Sequence, residues 1–275
     1  MPTPIAVGRL VDGVIADVRA RESVLPFIEV KARSRDMECP RDATAALLRN
    51  GCSVITELKR AVPFRGTISA IDSPADMANL AAQFEAAGVH LMACQTEKRR
   101  FRGSLADMQA AREATSVPMI CRDIIVDPYQ VHEARCFGAD VIPLQVQLLE
   151  QARLEALLDR IENLGMAALL EVRNCSEVDR ALKAGGTVFG INAWTLESDV
   201  LDRGAFAEIV TGLPESTLRI AAGGVENPAN LMAYASSGAD AVMVGESVMA
   251  APDPARFARS LVAAGQHPAC PSRRF

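Results

Sequence analysis

From about residue 52 the chain repeats one pattern: a short β-branched apolar run, a polar loop, a one-sided amphipathic segment, then glycine. The apolar runs are SVITEL (53 to 58), VHLMAC (89 to 94), VPMIC (117 to 121), DVIPLQV (140 to 146), MAALLEV (166 to 172), TVFGIN (187 to 192), LRIAA (218 to 222) and DAVMVG (240 to 245). Apolar throughout and five to seven residues long, they read as strands covered on both faces. Between them, Ser73-Pro74, Asp127-Pro128, Asn227-Pro228 and Asp253-Pro254 each set a capping side chain before a proline suited to a helix's first position. Ser104 and Ser176 serve as caps without proline. The first of these helices carries Met77, Leu80, Ala81 and Phe84 at spacings of three and four, and Gly88 ends it. Gly138, Gly165, Gly185 and Gly238 hold the same place after later helices.

Buried strands alternating with single-sided helices mean a parallel sheet covered by helices. Eight such units, with no glycine-rich dinucleotide turn, predict a (β/α)₈ barrel over residues 52 to 275 rather than an open sheet. Residues 1 to 51 fall outside the repeat. They predict an N-terminal helical extension, with helices over 7 to 20 and 40 to 50, that covers one mouth of the barrel.

Composition narrows the partners. The 275 residues are 49% apolar and 23% charged, with mean hydropathy +0.13, enough for a large core. Aromatics make up 4%, with a net charge of −5, which removes both the stacking surface and the basic field a nucleic-acid partner needs. No run reaches the ~20 apolar residues of a membrane span. The N-terminus lacks a basic start followed by an apolar core, so no leader is expected. Seven scattered cysteines without a CxxC, and three histidines without a ligand pair, predict reduced thiols, a cytoplasmic protein and no metal.

In such a barrel the active site lies at the C-terminal ends of the strands. The polar residues there are Glu57 and Lys59 after the first strand, Arg122 and Asp123 after the third, Glu171 on the fifth and Asn192 on the sixth. Glu57 and Lys59 are two apart and share a strand face. Charge placed among apolar neighbours points to function for these two and for Glu171, while Arg122 and Asp123 fit a rim ion pair equally well. The loops after strands seven and eight read Ala222-Gly223-Gly224 and Gly245-Glu246-Ser247. Glycines there let backbone N–H groups approach an anion, so a small phosphorylated molecule is the expected ligand.

The runs ITELKRAVPFRG, TEKRRFRGSLADMQAAREATSVPMICRDIIVDPYQVHEARCFGAD, LLEVRNCSEVDRALKAGGTVFGIN and GGVENPANLMAYASSGADAVMVGESVM resemble the indole-3-glycerol phosphate synthase family over roughly residues 50 to 260. The resemblance implies a lyase of tryptophan biosynthesis. Such an enzyme closes the indole ring of 1-(2-carboxyphenylamino)-1-deoxyribulose 5-phosphate, losing carbon dioxide and water without metal or organic cofactor. It also implies that Glu57 and Lys59 match the family's strand-one pair, Glu171 its strand-five glutamate and Asn192 its strand-six asparagine, with Phe101 against the substrate's aromatic ring. Four places depart from the family. Arg122 stands where it has a lysine acid, Val62-Pro63-Phe64 where it has Ser-Pro-Ser, Trp194 where it has arginine, and Ala222-Gly223-Gly224 where it has Glu-Ser-Gly. Two other readings stand beside the synthase: a divergent member acting on another phosphorylated ketose adduct, and a catalytically silent barrel that binds a phosphorylated metabolite.

Overall fold

A computed structural model describes residues 7–63, 65–194 and 201–272. Eight parallel strands close into a barrel: β1 Ser53–Leu58, β2 Leu91–Gln95, β3 Met119–Arg122, β4 Val141–Gln145, β5 Ala167–Val172, β6 Val188–Asn192, β7 Leu218–Ala222 and β8 Ala241–Val244. Every expected strand is present, and β1 and β7 keep their expected ends. A two-stranded ribbon, Ala61–Val62 against Gly66–Thr67, adds to the loop after β1.

Alternation along each strand splits the core in two. Ile55, Leu91, Ala93, Ile120, Val141, Leu169, Val188, Ile220 and Met243 fill the inside of the barrel. Val54, Leu58, Met92, Cys94, Ile142, Leu170, Phe189 and Val242 face the helices, where Met77, Ala81 and Phe84 of helix Pro74–Ala86 meet them. Inward parity then continues to the strand ends. It carries Glu57, Gln95, Arg122, Gln145, Glu171 and Asn192 on the same face as the inner apolar layers.

The helix starts follow the capping rule. Ser73 accepts from Asp76 N, Asp127 from Tyr129 N, Asn227 from Asn230 N and Asp253 from Arg256 N, each before its proline. Ser104 caps as expected, but Ser176 does not. Helix Cys175–Lys183 starts earlier because Asn174 accepts from Glu177 N and the Glu177 carboxylate accepts from Arg173 N. The five glycines after helices all adopt positive φ, from 74° at Gly165 to 96° at Gly185.

The N-terminal region departs furthest from expectation. It forms three helices, Val7–Val24, Phe27–Arg35 and Ala43–Leu47, where two were expected. Nor does it cover a single mouth. Ala43 and Leu47 pack on the inner apolar layer at the N-terminal end of the barrel, while Leu10 reaches the cavity at the C-terminal end. Arg21 to Glu133 at 3.0 Å clips the first helix to the flank between them.

Candidate active site

The C-terminal mouth holds a cavity of about 430 Å³. Glu57, Lys59, Arg122, Glu171 and Asn192 all line it, as do Phe101, Gly223, Gly224, Gly245 and Glu246, so every residue singled out from the sequence converges on one place.

At its base, two carboxylates and two cations interlock. Lys59 Nζ is 2.5 Å from Glu57 Oε2, Arg122 Nε is 3.6 Å from Glu57 Oε1, and Arg122 Nη1 is ion-paired with Glu171 Oε1. Glu57 thus serves both cations. Its side chain is 7% exposed and that of Glu171 2%. Charges buried so deeply persist only when paired and hydrogen-bonded. Two glutamines complete the pairing: Gln95 Nε2 donates to Glu57 Oε1 at 3.2 Å, and Gln145 Nε2 donates to Glu171 Oε2 at 3.0 Å. Neither glutamine was singled out from the sequence, although inward parity at the ends of β2 and β4 marks both.

The cluster sets its own protonation. Burial pushes the Glu57 carboxyl up, but the Lys59 and Arg122 charges outweigh it and hold the group below its ordinary value. Burial likewise pushes Arg122 down, and Glu171 and Glu57 more than reverse that, fixing the guanidinium as a permanent cation. Beside it, burial raises the Asp123 carboxyl to about 6, against a hydrogen bond from Thr96 Oγ1 at 2.7 Å and one from Ile124 N at 2.7 Å.

Gly245 lies against the ion pair. A Cβ there would press on Glu57 Oε2 and Lys59 Cε, so a side chain at this position would displace the pair. Phe101 lines the cavity from helix Lys98–Phe101, its ring centroid 5.9 Å from Lys59 Nζ. Asn192 Oδ1 accepts from Trp194 N at 3.0 Å, which holds the Trp194 backbone beside the cavity that both residues line. Phe64, the other bulky residue in the departing loops, lies outside the described residues. Among those described, no helix is long and apolar enough to cross a membrane.

A buried acid–base cluster at the C-terminal mouth of a (β/α)₈ barrel, under loops with glycine turns, defines an enzyme of the barrel class. The sequence relations narrow it further. The model of the indole-3-glycerol phosphate synthase family matches residues 7–261. The chain is 51% identical over 262 residues to an indole-3-glycerol phosphate synthase of Saccharopolyspora erythraea, covering 95% of this chain and 96% of that one. It is 48% identical over 271 residues to one of Mycobacterium sp. (strain KMS), covering 98% of each. Among solved structures, 3-hexulose-6-phosphate synthase from Salmonella typhimurium superposes with a TM-score of 0.60 at 15% identity, over 77% of this chain and 97% of that one, a likeness of fold. The chain belongs to the indole-3-glycerol phosphate synthase family.

Proposed function

We propose that the interlocked cluster of Glu57, Lys59, Arg122 and Glu171 performs the family's ring closure. The protein is a carboxy-lyase acting on 1-(2-carboxyphenylamino)-1-deoxyribulose 5-phosphate, and carbon dioxide and water leave as the indole ring forms. The observation that carries the assignment is the sharing of Glu57 by two cations at the base of the cavity.

Ring closure needs positive charge or a proton on the ketone oxygen as the ring carbon attacks. Dehydration then needs an acid for the departing hydroxyl and a base for the proton lost. Lys59 and Glu171 are the acid and base in this reading. Arg122 stabilises developing negative charge without releasing a proton, because an arginine with a pKa above ~12 remains charged through the cycle. Glu57 positions Lys59 and Arg122. Phe101 packs on the substrate's aromatic ring, Asn192 orients polar groups near the reacting carbons, and the backbone at Gly223, Gly224 and Gly245, with Glu246 beside it, forms the phosphate end. We assign residues 52–275 to the catalytic barrel and 1–51 to an extension that supports it.

The direct test is an indole-fluorescence assay of the purified chain with this substrate, alongside Glu171→Gln. Turnover in the wild type that the variant loses supports the assignment. Equal turnover in both removes Glu171 from the chemistry.

A further inference from the structure

Gln145 ends β4, and the register of β4 against β5 sets it beside Glu171. One half of its side-chain amide is committed. Nε2 donates to Glu171 Oε2 at 3.0 Å and to the Asp123 main-chain O at 3.2 Å. Both partners are acceptors, so turning the amide over would set oxygen against oxygen twice. Oε1 is thereby fixed as an acceptor, and among the described residues it is buried with no hydrogen-bond partner. The residue is 6% exposed and lines the cavity. A buried acceptor without a donor costs stability, and a molecule seated in the cavity can supply that donor.

We propose that Gln145 is a specificity-determining residue whose Oε1 accepts from the N–H of the amine bridging the substrate's aromatic ring and its sugar chain. The proposal rests on the functional reading above. The substrate's carboxylate and phosphate only accept, so its donors are that N–H and the sugar hydroxyls. Glu171 selects between them. As the base of the dehydration it takes a proton from the carbon that carries the nitrogen, which brings the N–H to the neighbouring amide. The chemistry favours an acceptor there. When the ring carbon bonds to the ketone carbon, the carbonyl π pair passes to oxygen, which takes a proton from Lys59. The nitrogen lone pair moves into its bond to the ring and leaves an iminium N–H; loss of carbon dioxide returns that pair to nitrogen. A hydrogen bond from this N–H to an amide oxygen strengthens as the positive charge develops, and so acts in the transition state more than in the ground state.

Two unreactive ligands test this, both with the ketone reduced to an alcohol: 1-(2-carboxyphenylamino)-1-deoxyribitol 5-phosphate, and its phenoxy counterpart with oxygen in place of N–H. Their dissociation constants are measured on the full chain by titration calorimetry. Wild type should hold the amine about tenfold more tightly than the ether, which sets an acceptor against an acceptor. Gln145→Leu should bring that ratio to within about twofold of unity, because the preference is a coupling between this side chain and the N–H. Losing the support of Glu171 alone would weaken both ligands alike and leave the ratio unchanged. Equal affinity of the wild type for the two ligands would overturn the proposal without any variant, as would a preference that survives Gln145→Leu. Turnover of the family substrate without an N–H preference would sink this proposal and leave the functional reading standing. A preference that Gln145→Leu abolishes, in a chain that does not turn the substrate over, would do the reverse, and failure of both ligands to bind would overturn both.

Discussion

The two mouths of the barrel use buried charge in opposite ways. At the N-terminal mouth Asp140, 1% exposed, accepts from Arg41 N and from Met119 N, both at 2.8 Å, and Arg112 Nε lies 3.1 Å away. Arg41 in turn donates to Val117 O at 2.7 Å. Its bonds run to backbone or to a partner fixed by backbone, so this charge holds loops in place. At the C-terminal mouth the pairs are side chain to side chain, and Arg122 Nε and Gln145 Oε1 are buried without a hydrogen-bond partner among the described residues. Both residues line the cavity. Unspent polar capacity beside a cavity is what a substrate can use, and it costs stability until substrate supplies the missing partner. Opposite changes at the two mouths should therefore fall on different observables.

The largest expected effect is at the catalytic mouth. Glu171→Gln should lower kcat/KM by ~10³-fold, in the range of a lost positioned acid or base, with far less change in stability because Arg122 keeps Glu57 within reach. At the other mouth, Asp140→Ala should cost ~3 kcal/mol of stability, as removing one partner of a buried pair does, and leave kcat/KM within about twofold well below the melting temperature. Denaturant titration and steady-state kinetics on both variants check the division. Comparable loss of activity in the two would erase it.

The same contrast explains what could be read from the sequence. Strand parity and helix caps are local, so the barrel and the inward-facing Glu57, Lys59 and Glu171 were legible. Gln95 escaped because the second apolar run was closed at Cys94, one residue short. Gln145 lay inside its run but carries no charge to mark it. Helix Phe27–Arg35 buries only Val30 and Ser34, a stripe too narrow to show a helical period. Gln145 Oε1 is fixed as an acceptor because residues distant in sequence bring acceptors to Nε2, and no spacing rule reports that.

Arg122 gives the third test, in which the mouth is changed toward more chemistry rather than less. Held as a cation by Glu171 and Glu57, Arg122 donates no proton, so in the proposed reading acid catalysis is assigned to Lys59. Arg122→Lys places a releasable proton beside the same two carboxylates. Turnover of the family substrate should rise by roughly 10²-fold, the contribution of one positioned general acid. An unchanged or lower kcat with intact KM would show that fixed charge, not proton transfer, is what this position contributes.

The smallest effect separates a group of the mouth that burdens the fold from those that support it. Asp123 has a folded-state pKa near 6, raised by burial above its ordinary 3.8. A raised acid pKa means the folded state binds the proton more tightly than the unfolded one. Stability from this group is therefore greatest below pH 3.8 and falls as pH rises from about 4 to 6. Glu57 acts in the other sense: its lowered pKa stabilises above its unfolded value, and that contribution is lost as pH falls through the folded one. Asp123→Asn keeps the local bonds, since the amide oxygen can accept from Ile124 N and the amide nitrogen can donate to Thr96 Oγ1, whose own proton can turn to Arg122 O at 3.3 Å. The variant should gain on the order of 1 kcal/mol at pH 7.5, less than the full shift because the group is partly exposed, and nothing at pH 4. Unfolding free energies across that interval decide it: a gain of the same size at both pH values would mean that charge burial at Asp123 is not what the mouth costs the fold.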